Sequence, residues 1–158
     1  DLPAYFVDGN TANYSKTSST PLPEGILEGT KGTVPGVEAP KGFRDRLLKI
    51  DPKLDNFTYS AEAYDATILT ALAAVAAKNE SGEAVASKMA DVSQGGTVCT
   101  GFKECADLLA DGKDIDYNGL SGPIAFSDLG SPTEASIGVY LYGKDNDITP
   151  VKFISGKI

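Results

Sequence analysis

The sequence contains no histidine and no tryptophan. Without histidine the chain lacks the commonest general base of enzymes and the commonest metal ligand. A catalytic triad or a cysteine–histidine pair is therefore excluded, and there is no phosphate-binding loop. The acid-rich segment 113–119 lacks the closing glutamate of an EF-hand at the right distance, which argues against a calcium site. We expect that the protein is not an enzyme and that it has neither a metal nor an organic cofactor.

No apolar run reaches the ~20 residues that a membrane-spanning helix needs, and no signal peptide precedes Asp1. The chain instead opens almost directly into the apolar run 4–7. We interpret it as a mature product or as a piece of a longer protein. The missing signal therefore does not predict a cytoplasmic location.

Positive charge is also scarce, with 14 basic residues against 22 acidic ones and a net charge of −8. The basic residues are scattered along the chain, whereas binding to nucleic acid needs clustered lysine and arginine. Nucleic acid is therefore excluded as a partner. The apolar fraction of 41% and the 17 glycines are typical of a globular α/β protein. The acidity is interpreted as a solvated surface.

The two cysteines, Cys99 and Cys105, are six positions apart. A second pair and histidines would be needed for a zinc site, so we favour a short-loop disulfide. Such a bond indicates an oxidising compartment and contributes about 2 kcal/mol. Two unrelated buried thiols are the alternative.

Turn and helix signals divide the chain into short elements. The apolar residues 3–7 predict a buried strand that ends at the turn Asp8–Asn10. Residues 29–36 predict a short strand that runs into a Pro/Gly hinge. A helix is predicted over about 40–49, and Pro52 prevents it from continuing.

A long helix is predicted from Ser60, taken as its N-cap. Its apolar stripe comprises Tyr64, Ile68, Leu72 and Val75, with Leu69 and Ala76 alongside. The later elements are, in order, a helix from Ser81 to about Val92, a helix over 102–111, a strand between Gly119 and Phe126, and a hairpin of 137–142 with 151–154. This order predicts the α/β class.

Asp8, Gly9 and Asn10 follow the first strand, and ligands of open α/β sheets bind beyond the carboxyl ends of strands. A carboxylate there could hold an ammonium group, and glycine permits a close backbone approach. An ordinary strand-ending turn is the alternative. Tyr59, before the predicted cap, is a candidate to line a pocket with its ring. Tyr64 lies on the apolar stripe and is interpreted as a core residue.

Four stretches occur in an order that resembles the type I periplasmic-binding-protein family, in particular its branched-chain amino-acid-binding group. They are Tyr5–Gly9, Gly29–Gly36, Ala61–Ala66 with its alanine-rich helix, and Asp116–Pro123 leading to Phe126. The resemblance covers nearly the whole chain, and its cysteine pair is most similar to versions from Gram-positive bacteria.

The resemblance implies a partial type I fold of Rossmann-like α/β/α layers with a C-terminal β-hairpin. Members of the family have two lobes, joined by three crossovers, that close on a solute. By this likeness residues 1–36 belong to lobe 2, residues 37–138 form the second half of lobe 1, and the hairpin 139–158 returns to lobe 2. The amino-terminal half of the family pattern is absent, so we expect exposed strand edges and a fragment that self-associates or rearranges.

The function implied is that of an extracytoplasmic solute-binding component of an ABC transporter, a periplasmic or cell-surface lipoprotein. It would capture a small amino acid or similar polar solute by hinge closure and deliver it to a membrane permease. Asp8 and Gly9 would grip the ligand ammonium, with Tyr59 near the cleft wall. A ligand-sensing receptor ectodomain of the same fold is the alternative, which a transmembrane helix after Ile158 in the gene would favour.

Overall fold

The computed structural model describes residues 4–127 and 129–157, and these contain four α-helices and seven β-strands. The chain divides into two compact units. Unit 1 comprises the residues up to Val37 together with Ala135–Gly156, and unit 2 comprises Glu38–Glu134 and the end of the chain from Lys157. Unit 1 is therefore built from two segments that are distant in sequence.

Unit 1 contains a four-stranded mixed sheet in the order β1-β2-β6-β7. Its strands are β1 (Tyr5–Phe6), β2 (Lys31–Pro35), β6 (Glu134–Tyr142) and β7 (Ile148–Lys157). β1 pairs with β2 in parallel, and β2 pairs with β6 in antiparallel. The predicted first strand is shorter than expected, and its residue 3 lies outside the described residues. The strand within 29–36 and the C-terminal hairpin are confirmed.

One face of this sheet is covered by the connection between β1 and β2. Val34 and Tyr142 are buried on this face together with Leu27 from the connection. The Phe6 ring packs edge-on against Tyr142 with 5.5 Å between ring centroids. The Tyr142 hydroxyl accepts a hydrogen bond from the Ala12 amide at 3.0 Å and donates to the Ala12 carbonyl at 2.8 Å. The connection is thus fixed to the sheet by a buried phenol.

Asn146 holds the turn of the β6–β7 hairpin against the same connection. It is fully buried and has a left-handed backbone, with φ of 59°, which asparagine tolerates better than most residues. Its Oδ1 accepts from the Leu27 amide at 3.1 Å. Its Nδ2 donates to the carbonyls of Leu22 at 3.2 Å and Pro23 at 2.8 Å. A single amide side chain therefore satisfies three backbone groups of the loop.

Unit 2 contains the helices and a second mixed sheet, in the order β3-β4-β5. Its elements are α1 (Lys41–Ile50), α2 (Ser60–Ala77), α3 (Gly82–Lys88), β3 (Thr97–Cys99), α4 (Phe102–Ala110), β4 (Ile115–Gly119) and β5 (Gly122–Pro123). α2 packs against α3 and α4. The core of the unit comprises Leu69, Leu72, Ala73, Val92, Cys99, Cys105, Ile115 and Tyr117.

The stop signal of α1 is confirmed, since the helix ends at Ile50 and Asp51 is extended before Pro52, with φ of −127° and ψ of 96°. The hinge after β2 contains Gly36, whose φ of 110° is a conformation that other residues rarely adopt. Ser81 caps α3 as predicted, accepting from the Ala84 amide at 3.4 Å. That helix ends at Lys88, earlier than expected.

The predicted start and stripe of α2 need correction. Tyr59, not Ser60, is the N-cap residue, and the Ser60 hydroxyl donates to the Phe57 carbonyl at 2.7 Å. Val75 is 39% exposed, and Tyr64 is half-buried beside Phe43 at 5.2 Å. The residues that α2 buries are Ala61, Asp65, Leu69, Leu72 and Ala73. The predicted stripe differs from the buried face because the apolar periodicity assigned Asp65 to the solvent side of α2.

The structure places Cys99 and Cys105 at disulfide distance, with 5.5 Å between their Cα atoms. Cys99 ends β3 and Cys105 lies in α4, so the bond fixes this helix to the edge of the sheet. Both residues are buried in the core of unit 2.

At the level of class, the α/β prediction is confirmed by four helices and two mixed sheets among the described residues. None of the helices in the ranges 4–127 and 129–157 combines the length and apolar character that crossing a bilayer requires.

The disulfide generates a first prediction. Replacing both Cys99 and Cys105 by alanine is expected to destabilise the protein by about 2 kcal/mol through lost loop closure, apart from any loss of packing. Urea unfolding measures the change. Intact mass under denaturing conditions is the independent check, because reduction should add about 2 Da. Free thiols that react with a blocking reagent before any reductant is added would contradict the disulfide.

Candidate functional site

Asp8, Gly9 and Asn10 form a single 3-10 turn directly after β1 in unit 1. All three residues are exposed. The turn is held locally, because the Asn10 Oδ1 accepts from the Val7 amide at 2.8 Å and the Thr11 hydroxyl donates to the Val7 carbonyl at 3.0 Å. The Asn10 side chain is thus committed in part to its own backbone. The Asp8 carboxylate lies at the strand end that the sequence predicted.

Neither the backbone conformation nor packing within the chain requires glycine at position 9. Its φ is not in the left-handed region, and a Cβ atom added there would have no atom within 4 Å. Gly32, by contrast, passes so close to the Thr11 side chain that a Cβ would collide with it. Open space beside Gly9 is compatible with a ligand that approaches the backbone there. The ligand-binding role of Asp8, Gly9 and Asn10 stays a prediction.

Tyr59 belongs to unit 2, where it precedes the first turn of α2. It is 39% exposed, and its φ of 62° is unusual for a residue with a bulky side chain. Backbone strain of this kind costs on the order of 1–3 kcal/mol and persists only where the surrounding structure holds it. The surrounding structure therefore holds the backbone of Tyr59 in this conformation. Its part in a ligand pocket stays a prediction.

Unit 1 also contains a partly open cavity of about 390 Å³. Its lining residues are Ser15, Lys16, Thr17, Leu22, Pro23, Glu24, Asp145 and Asp147. Asp8, Gly9 and Asn10 are not among them. The acids Asp145 and Asp147 are engaged in the hairpin turn, where they accept from the amides of Asp147 at 3.1 Å and Ile148 at 2.8 Å. Within the described residues no group of three or more histidine, cysteine or acidic side chains is placed to hold a metal ion.

A buried polar group of unit 2 with four hydrogen-bond donors is the Asp65 carboxylate, which is 1% exposed. Its Oδ1 accepts from the Tyr117 hydroxyl at 2.8 Å and the Leu120 amide at 3.0 Å. Its Oδ2 accepts from the amide and the hydroxyl of Ser121, both at 2.6 Å. Burying a carboxylate is tolerated only where such donors replace water. This cluster of Asp65, Tyr117, Leu120 and Ser121, the Asp65 cluster, joins α2 to the turn between β4 and β5.

Gly119 and Tyr117 show how closely the Asp65 cluster is packed. A Cβ atom at Gly119 would overlap the Asp65 carboxylate, so only glycine leaves room for it. Burial raises the pKa of the Tyr117 hydroxyl well above its ordinary value of about 10, and the hydrogen bond to Asp65 raises it further. The phenol is therefore a fixed donor at physiological pH. The hydroxyl therefore does not release its proton near neutral pH.

Sequence reasoning missed Asp65, although its signals were present. Asp65 lies four positions after Ala61 and four before Leu69, so the three residues share one face of a helix. Three of its four donors lie in a glycine-rich turn at residues 119–122, and the fourth is the Tyr117 hydroxyl. Neither feature identifies the partner of the other, because 52 residues separate Asp65 from Tyr117.

Comparisons of the chain with models of protein families, with curated protein sequences and with solved structures find no match.

Asp65→Asn is expected to destabilise the protein by about 2–3 kcal/mol, because an amide nitrogen would face the Ser121 donors and leave them unsatisfied. Urea unfolding measures the loss. Asp107→Asn is the matched control, since that carboxylate is 67% exposed in a surface ion pair with Lys103, and it should change stability by less than about 0.5 kcal/mol. Equal effects of the two substitutions would show that the Asp65 cluster is not a stabilising contact.

The raised pKa of Tyr117 predicts a loss of stability at alkaline pH. The unfolded phenol releases its proton near pH 10, whereas the folded one keeps it, so this contribution is complete below about pH 10 and falls above it. Between pH 10 and 11.5 the wild-type protein should lose up to about 1.4 kcal/mol per pH unit more than Tyr117→Phe. Urea unfolding across this range measures both slopes. Parallel pH profiles would contradict the assignment.

Proposed function

We propose that this protein belongs to an extracytoplasmic solute-binding component of an ABC transporter, which captures a small amino acid or similar polar solute by hinge closure. The finer fold is then part of the type I periplasmic-binding-protein fold. In this role the protein catalyses no reaction. It binds the solute outside the membrane and presents it to a permease.

The observation that carries the proposal is the Asp65 cluster. Two stretches that carry the family resemblance, Ala61–Ala66 and Asp116–Pro123, are 50 residues apart in the sequence, and Asp65 joins them through four hydrogen bonds. The identities of Asp65, Tyr117 and Gly119 are each constrained by this contact. The resemblance therefore rests on residues that depend on one another, and such a set is more specific than two separate short motifs.

Two further features support the proposal. Unit 1 is assembled from segments on either side of unit 2 in the sequence, with breaks at Val37 and Ala135. Chains that cross repeatedly between two bodies suit hinge motion, because a few residues at the crossings absorb the change in backbone angles. The cysteine pair at disulfide distance fits an oxidising, extracytoplasmic compartment.

In the proposed mechanism the exposed Asp8 carboxylate pairs with the ammonium group of the solute. The open space at Gly9 lets the ligand reach the backbone, and Asn10 offers its amide group beside it. The solute then shifts the population towards the closed state by the difference between its affinities for the closed and open states.

A thermal-shift screen of the full-length gene product against the standard amino acids tests this proposal. A ligand that binds only the native state stabilises it, by about 2.7 kcal/mol at a concentration of 100 times its Kd. The melting temperature rises as a result. We expect one amino acid, or a few similar ones, to raise it. Asp8→Asn should weaken binding at least tenfold, because a charge-assisted hydrogen bond is lost, and should leave the ligand-free melting temperature unchanged.

Asp55→Asn is the control, because Asp55 is an exposed acid of unit 2. An unchanged affinity in Asp8→Asn would show that Asp8 is not part of the ligand site, but it would not contradict the proposed solute-binding function. If no amino acid or small polar solute shifts the melting temperature, the proposed function is wrong.

A further inference from the structure

One face of the sheet in unit 1 is exposed and largely apolar. Side chains alternate between the two faces of a strand, so the residues that point away from Val34 and Tyr142 share one side. This outer face comprises Tyr5, Lys31, Thr33, Pro35, Ile137, Val139, Leu141, Lys152 and Ile154. The surface is contiguous, since Lys31 pairs with both Tyr5 and Leu141, and Pro35 pairs with Ile137.

The contacts of the opposite, inner face fix this assignment on the hairpin. The rings of Tyr140 and Phe153 meet edge-on at 6.2 Å. The hydroxyls of Ser136 and Ser155 are 2.7 Å apart. Residues 137, 139 and 141 of β6, and residues 152 and 154 of β7, therefore point to the outer face.

The outer face exposes large apolar side chains that a sheet normally covers. Tyr5 is 70% exposed, Ile154 is 51%, Ile137 is 45% and Leu141 is 38%. Single exposed apolar residues are ordinary, but a contiguous patch of this kind marks an interaction surface. The β1–β2 connection lies on the inner face, where Leu27 is buried together with Val34 and Tyr142.

The charges on the outer face indicate what covers it. Its charged residues are Lys31 and Lys152, and neither forms an ion pair within the described residues, in a chain whose net charge is −8. An acidic partner would neutralise them at the rim of an apolar contact.

We propose that the outer face binds an amphipathic α-helix of another polypeptide, with acidic residues flanking the apolar stripe of the helix. A helix with its side chains is about 10 Å across, so it spans two to three strands spaced at about 4.8 Å. Its stripe covers Ile137, Leu141 and Ile154. Its acids lie within reach of Lys31 and Lys152. This inference is independent of the proposed solute-binding function.

The probe is a fluorescent, N-acetylated 18-residue helical peptide with a leucine stripe flanked by glutamates. A second peptide of identical stripe carries lysine in place of each glutamate. Fluorescence anisotropy with this chain at low salt should show binding of the glutamate peptide and at least tenfold weaker binding of the lysine peptide. The double variant Lys31→Glu/Lys152→Glu should reverse this preference. Ile137→Asp should weaken binding of both peptides at least tenfold.

Two control variants carry the same changes elsewhere. Lys49→Glu/Lys53→Glu alters the net charge equally outside the face, and Ile50→Asp replaces an isoleucine that is 84% exposed in unit 2. Both should bind the glutamate peptide like the wild type. Circular dichroism and melting temperature confirm that each variant is folded.

Three outcomes overturn the proposal. Equal affinity for the two peptides shows non-specific apolar adhesion, and no binding at 1 mM peptide shows that the face takes no such helix. Self-association in sedimentation that Ile137→Asp abolishes assigns the face to a second copy of this chain.

Discussion

The buried carboxylate of Asp65 is the interaction on which unit 2 depends. It receives all four of its donors from Tyr117 and the turn that follows β4, and α2 packs against α3 and α4. The contact thus joins the helical layer to the sheet at one point. A charge without these donors would be too costly to bury, and the donors without the charge would be left unsatisfied. Each half of the contact therefore requires the other, and Gly119 is required to admit them both.

Unit 1 uses the same principle with neutral groups. Asn146 and Tyr142 are buried, and both satisfy backbone groups of the long connection between β1 and β2. Residues 11–30 form no helix or strand, so they have no regular hydrogen bonds to hold them. Two side chains from the hairpin hold them, together with backbone hydrogen bonds such as that from the Gly25 amide to the Lys144 carbonyl at 2.7 Å. The cover of the inner face is accordingly specific, while the outer face is left apolar and open.

In both units the order is established by polar contacts around modest apolar cores, and this bears on function. The turn after β1 is held by the Asn10 and Thr11 side chains, and it presents Asp8 at the surface. Burial raises the pKa of the Tyr117 and Tyr142 hydroxyls, which donate to the Asp65 carboxylate and to the Ala12 carbonyl. The proposed function therefore relies on fixed, exposed side chains, and catalysis by these buried phenols has no part in it.

The sequence by itself determined the α/β class, the end of α1 before Pro52, the end of β2 before Gly36, the cap of α3 and the C-terminal hairpin. These features depend on φ/ψ preferences and on hydrogen bonds within a few residues, so the local sequence encodes them. The buried face of α2, the N-cap at Tyr59 and the exposure of the outer face were decided only by the tertiary structure. The buried face of α2 depends on partners such as Tyr117 and Ser121, which lie 52 and 56 residues from Asp65. Whether a polar side chain is buried follows from the donors that the fold brings to it, and no pattern within one helix contains that information.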